Sequence, residues 1–271
     1  MRSENLTSTP SIEPVEPAEG ASTGYAVPAL DKGLDILELL ADEPDGLGLT
    51  ELARTLQRNR SEIFRMVDCL KRRGYIRVHP STEKMTLSLR LFELAHKTPV
   101  TRRLLAESLP VMKQLARKVG QSCHLAVCSG AEMLVVAMAN SDRSMEFAVR
   151  EGTKVGLLTS SSGRIYLAFQ PEEERVRLLK QLSGPAAARA RAAVVDWPGL
   201  CSAGFESVPS DFIRGVINMS CPVRDIRGHA VASLTVPYLE WQDGQNVSSV
   251  DDTLAELVAV TKQISERVLA G

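Results

Sequence analysis

Apolar positions first settle into a repeat at Leu30, Leu34, Leu37 and Leu40, a helical spacing that runs out at the turn-forming Pro44-Asp45-Gly46. A second helix is expected from Thr50, whose hydroxyl can cap it, to about Gln57, with Leu52, Ala53 and Leu56 on its inner face. Asn59 then offers an N-cap with Glu62 three residues later, and Ile63, Val67 and Leu70 at i, i+4 and i+7 predict a third helix that stops at Gly74. Beyond Gly74 the period changes to alternation: Tyr75-Ile76-Arg77-Val78, a turn at His79-Pro80-Ser81-Thr82, then Lys84-Met85-Thr86-Leu87, which predicts a β-hairpin. Three helices, the second and third joined by a very short turn, followed by a hairpin, is the order of a winged helix-turn-helix.

Leu89, Leu91, Phe92, Leu94 and Ala95 predict a linker helix that stops before Thr98-Pro99. Leu104 to Val119 is again helical in pattern, with Pro110 expected at a break or a new first turn. Strands are expected at His124–Val127, Met133–Ala139 and Phe147–Val149, and helices at Ser162–Phe169, from Pro171 to Leu182 and over 186–193. Val216–Val223 and Ala230–Val236 read as a hairpin around Asp225-Ile226-Arg227-Gly228, and Val250–Leu269 as a closing amphipathic helix. The mixture implies an α+β fold with a largely antiparallel sheet. Residues 1–24, with Pro10, Pro14 and Pro17 among Ser, Thr, Glu and Gly, are expected to be a disordered acidic tail. The expected divisions are then this tail, a winged helix-turn-helix over 25–88, a linker helix over 89–103, and a second domain over 104–271.

The chain of 271 residues, 44% hydrophobic and 24% charged, can bury a substantial core, which excludes wholesale disorder. Its formal net charge of -1 says nothing about partners. The local balance does: residues 50–90 hold ten Lys or Arg against four acids, so the remainder is correspondingly acidic, the footprint of phosphate binding confined to one domain. Five cysteines (Cys69, Cys123, Cys128, Cys201, Cys221) lack any CxxC pair, so neither a disulfide nor a structural zinc is expected. No apolar run approaches the ~20 residues needed to span a bilayer and no secretory signal opens the chain, so a cytoplasmic protein without membrane partners is expected.

Thr50-Glu51-Leu52-Ala53, Asn59-Arg60-Ser61-Glu62-Ile63-Phe64-Arg65 and Leu70-Lys71-Arg72-Arg73-Gly74-Tyr75-Ile76 resemble the DNA-binding half of the IclR family of bacterial transcriptional regulators. Leu125-Ala126-Val127, Ser162-Gly163-Arg164 leading to Leu167-Ala168-Phe169, and Cys221-Pro222-Val223-Arg224-Asp225 through Gly228 resemble its effector-binding half. The resemblance implies an N-terminal winged helix that reads operator DNA, a linker helix that helps to dimerise it, and a GAF-like C-terminal domain whose sheet holds a small effector. It also implies homodimers or homotetramers on pseudo-palindromic sites. Neither a cofactor nor a metal is expected.

With Ile63, Val67 and Leu70 buried, Arg60, Ser61 and Arg65 project from another face of the third helix, where guanidinium groups suit guanine edges or phosphates. Thr50 and Asn59 join them as candidates. Arg77 and Lys84 on the hairpin, with His79 nearby, suit the DNA backbone or minor groove. Lys71, Arg72 and Arg73 lie at the other end of the helix, where they also favour its C-terminus. For the effector, Thr159-Ser160-Ser161-Ser162-Gly163 precedes an apolar helix whose first amides can hold a carboxylate. By resemblance, Ser161 and Ser162 occupy the pocket loop, Asn218 and Thr235 facing strand positions, and Phe147 and Val155 an apolar wall. The blander reading makes Ser161 and Ser162 helix caps, and Asn218 and Thr235 satisfied sheet residues. The chain departs from common family patterns at Asn218, where cysteine is frequent, at Val208-Pro209, where acids are frequent, and at Leu158, where His is common.

His124 beside Cys123 invites a metal or nucleophile reading, but neighbours on a strand point to opposite faces, which favours core or pocket lining. Ser81-Thr82-Glu83-Lys84 matches a bare SxxK but falls on a turn without companion motifs. No HExxH, GxSxG, Walker or dinucleotide motif is present, so an enzyme carrying an incidental basic domain is the weaker alternative, as is a winged helix that binds another protein.

Overall fold

A computed structural model describes residues 27–97, 99–185, 187–188, 194–241 and 246–269. The expected tail over 1–24 lies outside the described residues, as does most of the helix expected over 186–193. The described chain forms two compact units, one of residues up to 114 together with those from 263 onward, the other of residues 115–262.

The first unit opens with α1 (Pro28–Ala41), α2 (Leu49–Thr55) and α3 (Arg60–Arg72), followed by β1 (Ile76–Val78) and β2 (Met85–Leu87) and then α4 (Arg90–His96). The strands pair antiparallel, Ile76 opposite Leu87 and Val78 opposite Met85, and Leu47 bridges to Met85 as a third edge. The core is Ile36, Leu40, Leu52, Ala53, Ile63, Val67, Ile76 and Met85. Two expectations are corrected here. Of the expected repeat Leu40 is buried and Leu37 packs against the core, but Leu30 and Leu34 are 58% and 46% exposed, because α1 turns Ile36 inward in their place. Thr50 does not cap α2: the helix starts one residue earlier from Gly48, and the Glu51 carboxylate accepts the Gly48 amide at 2.7 Å.

In α3 the N-cap is Asn59, whose Oδ1 accepts the Ser61 amide and hydroxyl, each at 3.0 Å. Glu62 does not close a capping box. It turns to Lys32 on α1 at 3.0 Å, and that ammonium holds its carboxyl below the usual range.

Next comes α5, which runs from Pro99 to Val119 with Pro110 inside it, so the expected break at Pro110 does not occur. The second unit is built on a six-stranded sheet of order β5-β4-β3-β8-β7-β6, with every pair antiparallel. Its strands are β3 (Cys123–Ser129), β4 (Glu132–Ala139), β5 (Lys154–Gly156), β6 (Glu206–Pro209), β7 (Val216–Arg224) and β8 (Ala230–Leu239). Between them lie α6 (Ser161–Ala168), α7 (Glu172–Lys180) and α8 (Trp197–Ala203), and α9 (Val250–Leu269) closes the chain.

The strand expected at Phe147–Val149 is not one. The Ser122 hydroxyl takes the Phe147 carbonyl, and the chain rejoins the edge of β4 only at Gly152 and Thr153, whose backbone groups bond to Val135. α8 and β6 went unforeseen, although α8 carries clear signals. Asp196 Oδ1 accepts the Gly199 amide at 2.9 Å, Pro198 sits in the first turn, and Gly204 ends the helix at φ 77°.

Directly opposed residues in an antiparallel sheet share a face. The register therefore sets Met138, His124, Thr235, Ser220 and Glu206 side by side in one row across β4, β3, β8, β7 and β6. Next-door residues such as Leu125, Leu234 and Cys221 face the other way, and the Cys221 thiol bonds to Thr261 on α9.

Candidate functional sites

On the first unit, Asn59, Arg60, Ser61 and Arg65 line one open hollow at the start of α3 together with Leu49 and Phe64. Because α3 buries Ile63 and Val67, its other face is left to solvent, and Arg60, Ser61, Phe64 and Arg65 are all exposed there. Phe64, 58% exposed, was missed by the sequence reading. An apolar ring among guanidinium groups matches a surface that meets both base edges and thymine methyls. Thr50 is exposed on α2 outside this hollow, and Arg77 is exposed on β1 opposite Thr86. Lys84 is half-buried beside the turn, whose His79 imidazole bonds to the Ser81 hydroxyl at 3.1 Å. At the far end of α3, Arg72 is held by Asp68 at 3.1 Å, so one charge of the Lys71–Arg73 run is already paired.

On the second unit, Phe147, Val155, Ser161, Ser162, Asn218 and Thr235 all line a single cavity of about 240 Å³. The first turn of α6 forms one wall. Ser160 is its cap: the hydroxyl accepts the Gly163 amide at 3.1 Å and donates to the Gly156 carbonyl at 2.8 Å. Ser161 and Ser162 are therefore not the caps. Their hydroxyls turn down onto the polar row of the sheet, Ser161 to Ser220 at 2.7 Å and Ser162 to Thr235 at 2.8 Å, while Ser220 and Thr235 bond to each other at 2.7 Å. Ser233 adds a bond to the Ser162 carbonyl at 2.7 Å.

Four hydroxyls joined in a line by three bonds use three of their four hydrogens, so one remains to be donated. The opening amides of an α-helix also lack partners within the helix. The wall is thus rich in uncharged donors at the positive end of a helix, the arrangement that receives an anion.

Of the three charged residues that line the cavity, the two cations are spoken for and Asp211 is exposed. Arg164 contributes to the lining, but its Nε is 2.7 Å from Glu206 Oε1, and both side chains are largely buried. Lys154 is 3.6 Å from Glu132 with a well-exposed side chain, at the rim. His124, 5% exposed, is also on the wall, and its Nδ1 has no partner. Burial pulls its pKa down to about 4, so the ring is neutral near pH 7. His124 was read as core or pocket lining, and it lines the pocket. Lys154 and the Ser210–Ile213 segment were missed, since nothing in their local sequence marks a cavity, while Arg164 had entered only within a family fragment and Val208-Pro209 only as a departure from family pattern. Among the described residues no group of His, Cys, Asp or Glu could hold a metal, and no helix is long and apolar enough to cross a membrane.

A basic winged helix-turn-helix in the same chain as an antiparallel α+β unit with an anion-suited cavity defines a DNA-binding transcriptional regulator. The profile of the IclR helix-turn-helix domain matches residues 29–80, and that of the bacterial transcriptional regulator IclR C-terminal region matches 96–202. The chain belongs to the IclR family. It is 26% identical over 251 residues to the HTH-type transcriptional regulator BhcR of Paracoccus denitrificans, covering 88% of this chain and 87% of that one. It is 26% identical over 164 residues to the transcriptional repressor IclR of Escherichia coli, covering 60% of each. Among solved structures, an IclR homolog of Microbacterium hydrocarbonoxydans complexed with 4-hydroxybenzoate superposes with a TM-score of 0.71 at 22% identity, covering 89% of this chain and 98% of that one. HmgR of Pseudomonas aeruginosa superposes at 0.67 with 24% identity, covering 88% and 98%. At such identities the structures speak for the fold alone.

Proposed function

We propose that the protein binds an operator through α3 and the β1–β2 wing, and that a small carboxylate, an aromatic or keto acid, seated in the α6 cavity changes its hold on that operator. Arg60, Ser61 and Arg65 read bases, with Thr50 and Asn59 at the margin, while Arg77 and Lys84 hold phosphates. The observation that carries the effector half is the cavity itself. The six expected residues, drawn from five separate stretches of chain, are among those that line it, and its donors are the first turn of α6 and a hydroxyl cluster with one hydrogen to spare. The effector shifts operator occupancy only by as much as its affinity differs between the binding and non-binding states.

Two copies present two recognition helices to half-sites one duplex turn, or a multiple, apart. An apolar groove between α1, α3 and α4, lined by Leu30, Leu34, Leu91 and Leu94, supports that assembly, since these leucines are otherwise left to solvent.

The test pairs calorimetry of the full chain against 4-hydroxybenzoate and benzoate with fluorescence anisotropy of a labelled duplex from upstream of its own gene. Binding of at least one carboxylate with a change in duplex affinity, and a steep fall of that affinity with salt through counterion release, is the expected result. Absence of duplex binding at low salt overturns the reading.

A further inference from the structure

We propose that His124 selects the effector: the ligand is a hydroxy acid whose carboxylate sits at the first turn of α6 and whose hydroxyl bonds to the His124 imidazole. The inference rests on the carboxylate reading above and supplies the other end of the ligand.

Four buried side-chain polar atoms among the described residues have no partner: Ser108 Oγ, His124 Nδ1, Glu206 Oε2 and Thr253 Oγ1. Of these residues only His124 lines the cavity. Nδ1 itself is sealed off, so it is the rest of the ring that meets the cavity. Buried polar groups in folded proteins are nearly always bonded, and an imidazole without a bond on a cavity wall is where a ligand can add one. Of the hydroxyl-bearing residues that line the cavity, Ser161, Ser162 and Thr235 are by contrast already tied together, with Ser220 as the link.

Position makes one ligand reach both. His124 lies directly opposite Thr235 across β3 and β8. Opposed side chains of an antiparallel pair stand about 5 Å apart at Cβ, and Thr235 holds Ser162 of the α6 first turn at 2.8 Å. A ligand anchored at that turn therefore passes the imidazole within the length of a small molecule.

Chemistry chooses the group. The ring is neutral, so it brings no charge to a carboxylate, whose needs are met at α6. A neutral imidazole carries one donor and one acceptor nitrogen, and a hydroxyl alone among simple oxygen groups satisfies either. A plain carboxylic acid leaves the ring unpaired on a wall it has just closed to water, which is how a site built for a hydroxyl rejects the analogue without one.

The test measures Kd by calorimetry for two matched pairs, 4-hydroxybenzoate against benzoate and lactate against propionate, on the full chain. The hydroxylated member of whichever pair binds is expected to bind at least about tenfold more tightly. In His124→Phe the ratio falls to near one while the plain acid keeps its affinity, and in His124→Gln, which restores a donor and an acceptor, part of the ratio returns. Equal binding of both members by the wild-type chain overturns the role of His124 while leaving the carboxylate reading intact. Binding of neither pair overturns both. A ratio that survives His124→Phe assigns the hydroxyl to another residue and overturns this one. The wild-type ratios decide the first two outcomes even where a variant fails to fold.

Discussion

His124 is buried, and it is neutral because burial penalises its charged form, with no ion partner to compensate. The unfolded chain accepts a proton at this ring near pH 6.5, whereas the folded chain refuses it down to about 4. Between those values the unfolded state binds more protons, so stability rises with pH and is lost on acidification. Above 6.5 the contribution is complete and flat. At ~1.4 kcal/mol per unit of pKa difference, taking the protein from pH 7 to pH 5 costs about 2 kcal/mol through this one group, and about 3 kcal/mol is gone below pH 4. Carboxylates titrate in the same range, so the measurement is a difference. Urea unfolding of wild type and of His124→Gln is followed from pH 7 to pH 5 by the signal of the second unit. Whatever constant offset the substitution adds, the wild type should lose about 2 kcal/mol more than the variant over that interval. Parallel curves for the two proteins would refute the argument, since they would mean that the imidazole already titrates normally in the folded state.

Three further outcomes follow from the same geometry. Arg164→Ala leaves Glu206 buried without its cation and should destabilise the second unit by about 3–5 kcal/mol in denaturant, whereas Arg164→Met combined with Glu206→Leu should recover most of that loss. A side chain added at Gly163 would run into the Leu157 backbone carbonyl, so Gly163→Ala should cost about 2 kcal/mol or more in unfolding measurements and, by pushing out the first turn of α6, weaken any carboxylate binding. On the DNA side, Arg65→Ala should lose about 1–3 kcal/mol of operator affinity with little effect on random duplex, and Lys84→Ala should weaken both alike and lower the salt slope by about one. Anisotropy titrations over a range of salt separate the two.

What could be read in the sequence, and what could not, divides along the range of the interactions. The third helix was legible because its signals are local: Asn59 caps it, Ile63 and Val67 face inward, and the hairpin follows Gly74 with strict alternation. Where two local solutions compete, pattern alone chose wrongly. α1 has apolar residues on more than one face, and only packing decides that Ile36 joins Leu40 in the core while Leu30 and Leu34 stay out. At α2 a threonine hydroxyl and a glutamate carboxylate both could satisfy the opening amides, and the carboxylate took the Gly48 N–H. The candidate effector residues were placed by family resemblance, and they line one cavity. The physics of that cavity was out of reach, since it depends on strand register. Nothing local says that His124 faces Thr235, that Thr235 faces Ser220, or that Ser220 faces Glu206. Each pairing is fixed by turns and bulges elsewhere, and a slip of one residue would send the whole row to the opposite face. The β-bulge after Leu125 shows how close that alternative lies: it absorbs one register step between β3 and β4 just past His124, so Met138 and His124 share the cavity face while the strand beyond is re-phased. The two serines, for which capping was the blander reading, are recruited by this row and leave capping to Ser160. A polar line across the middle of a sheet is least costly where every member finds a partner. In this row Glu206 is held by Arg164 through Oε1 alone, and the His124 imidazole, on the cavity wall, has no partner at Nδ1.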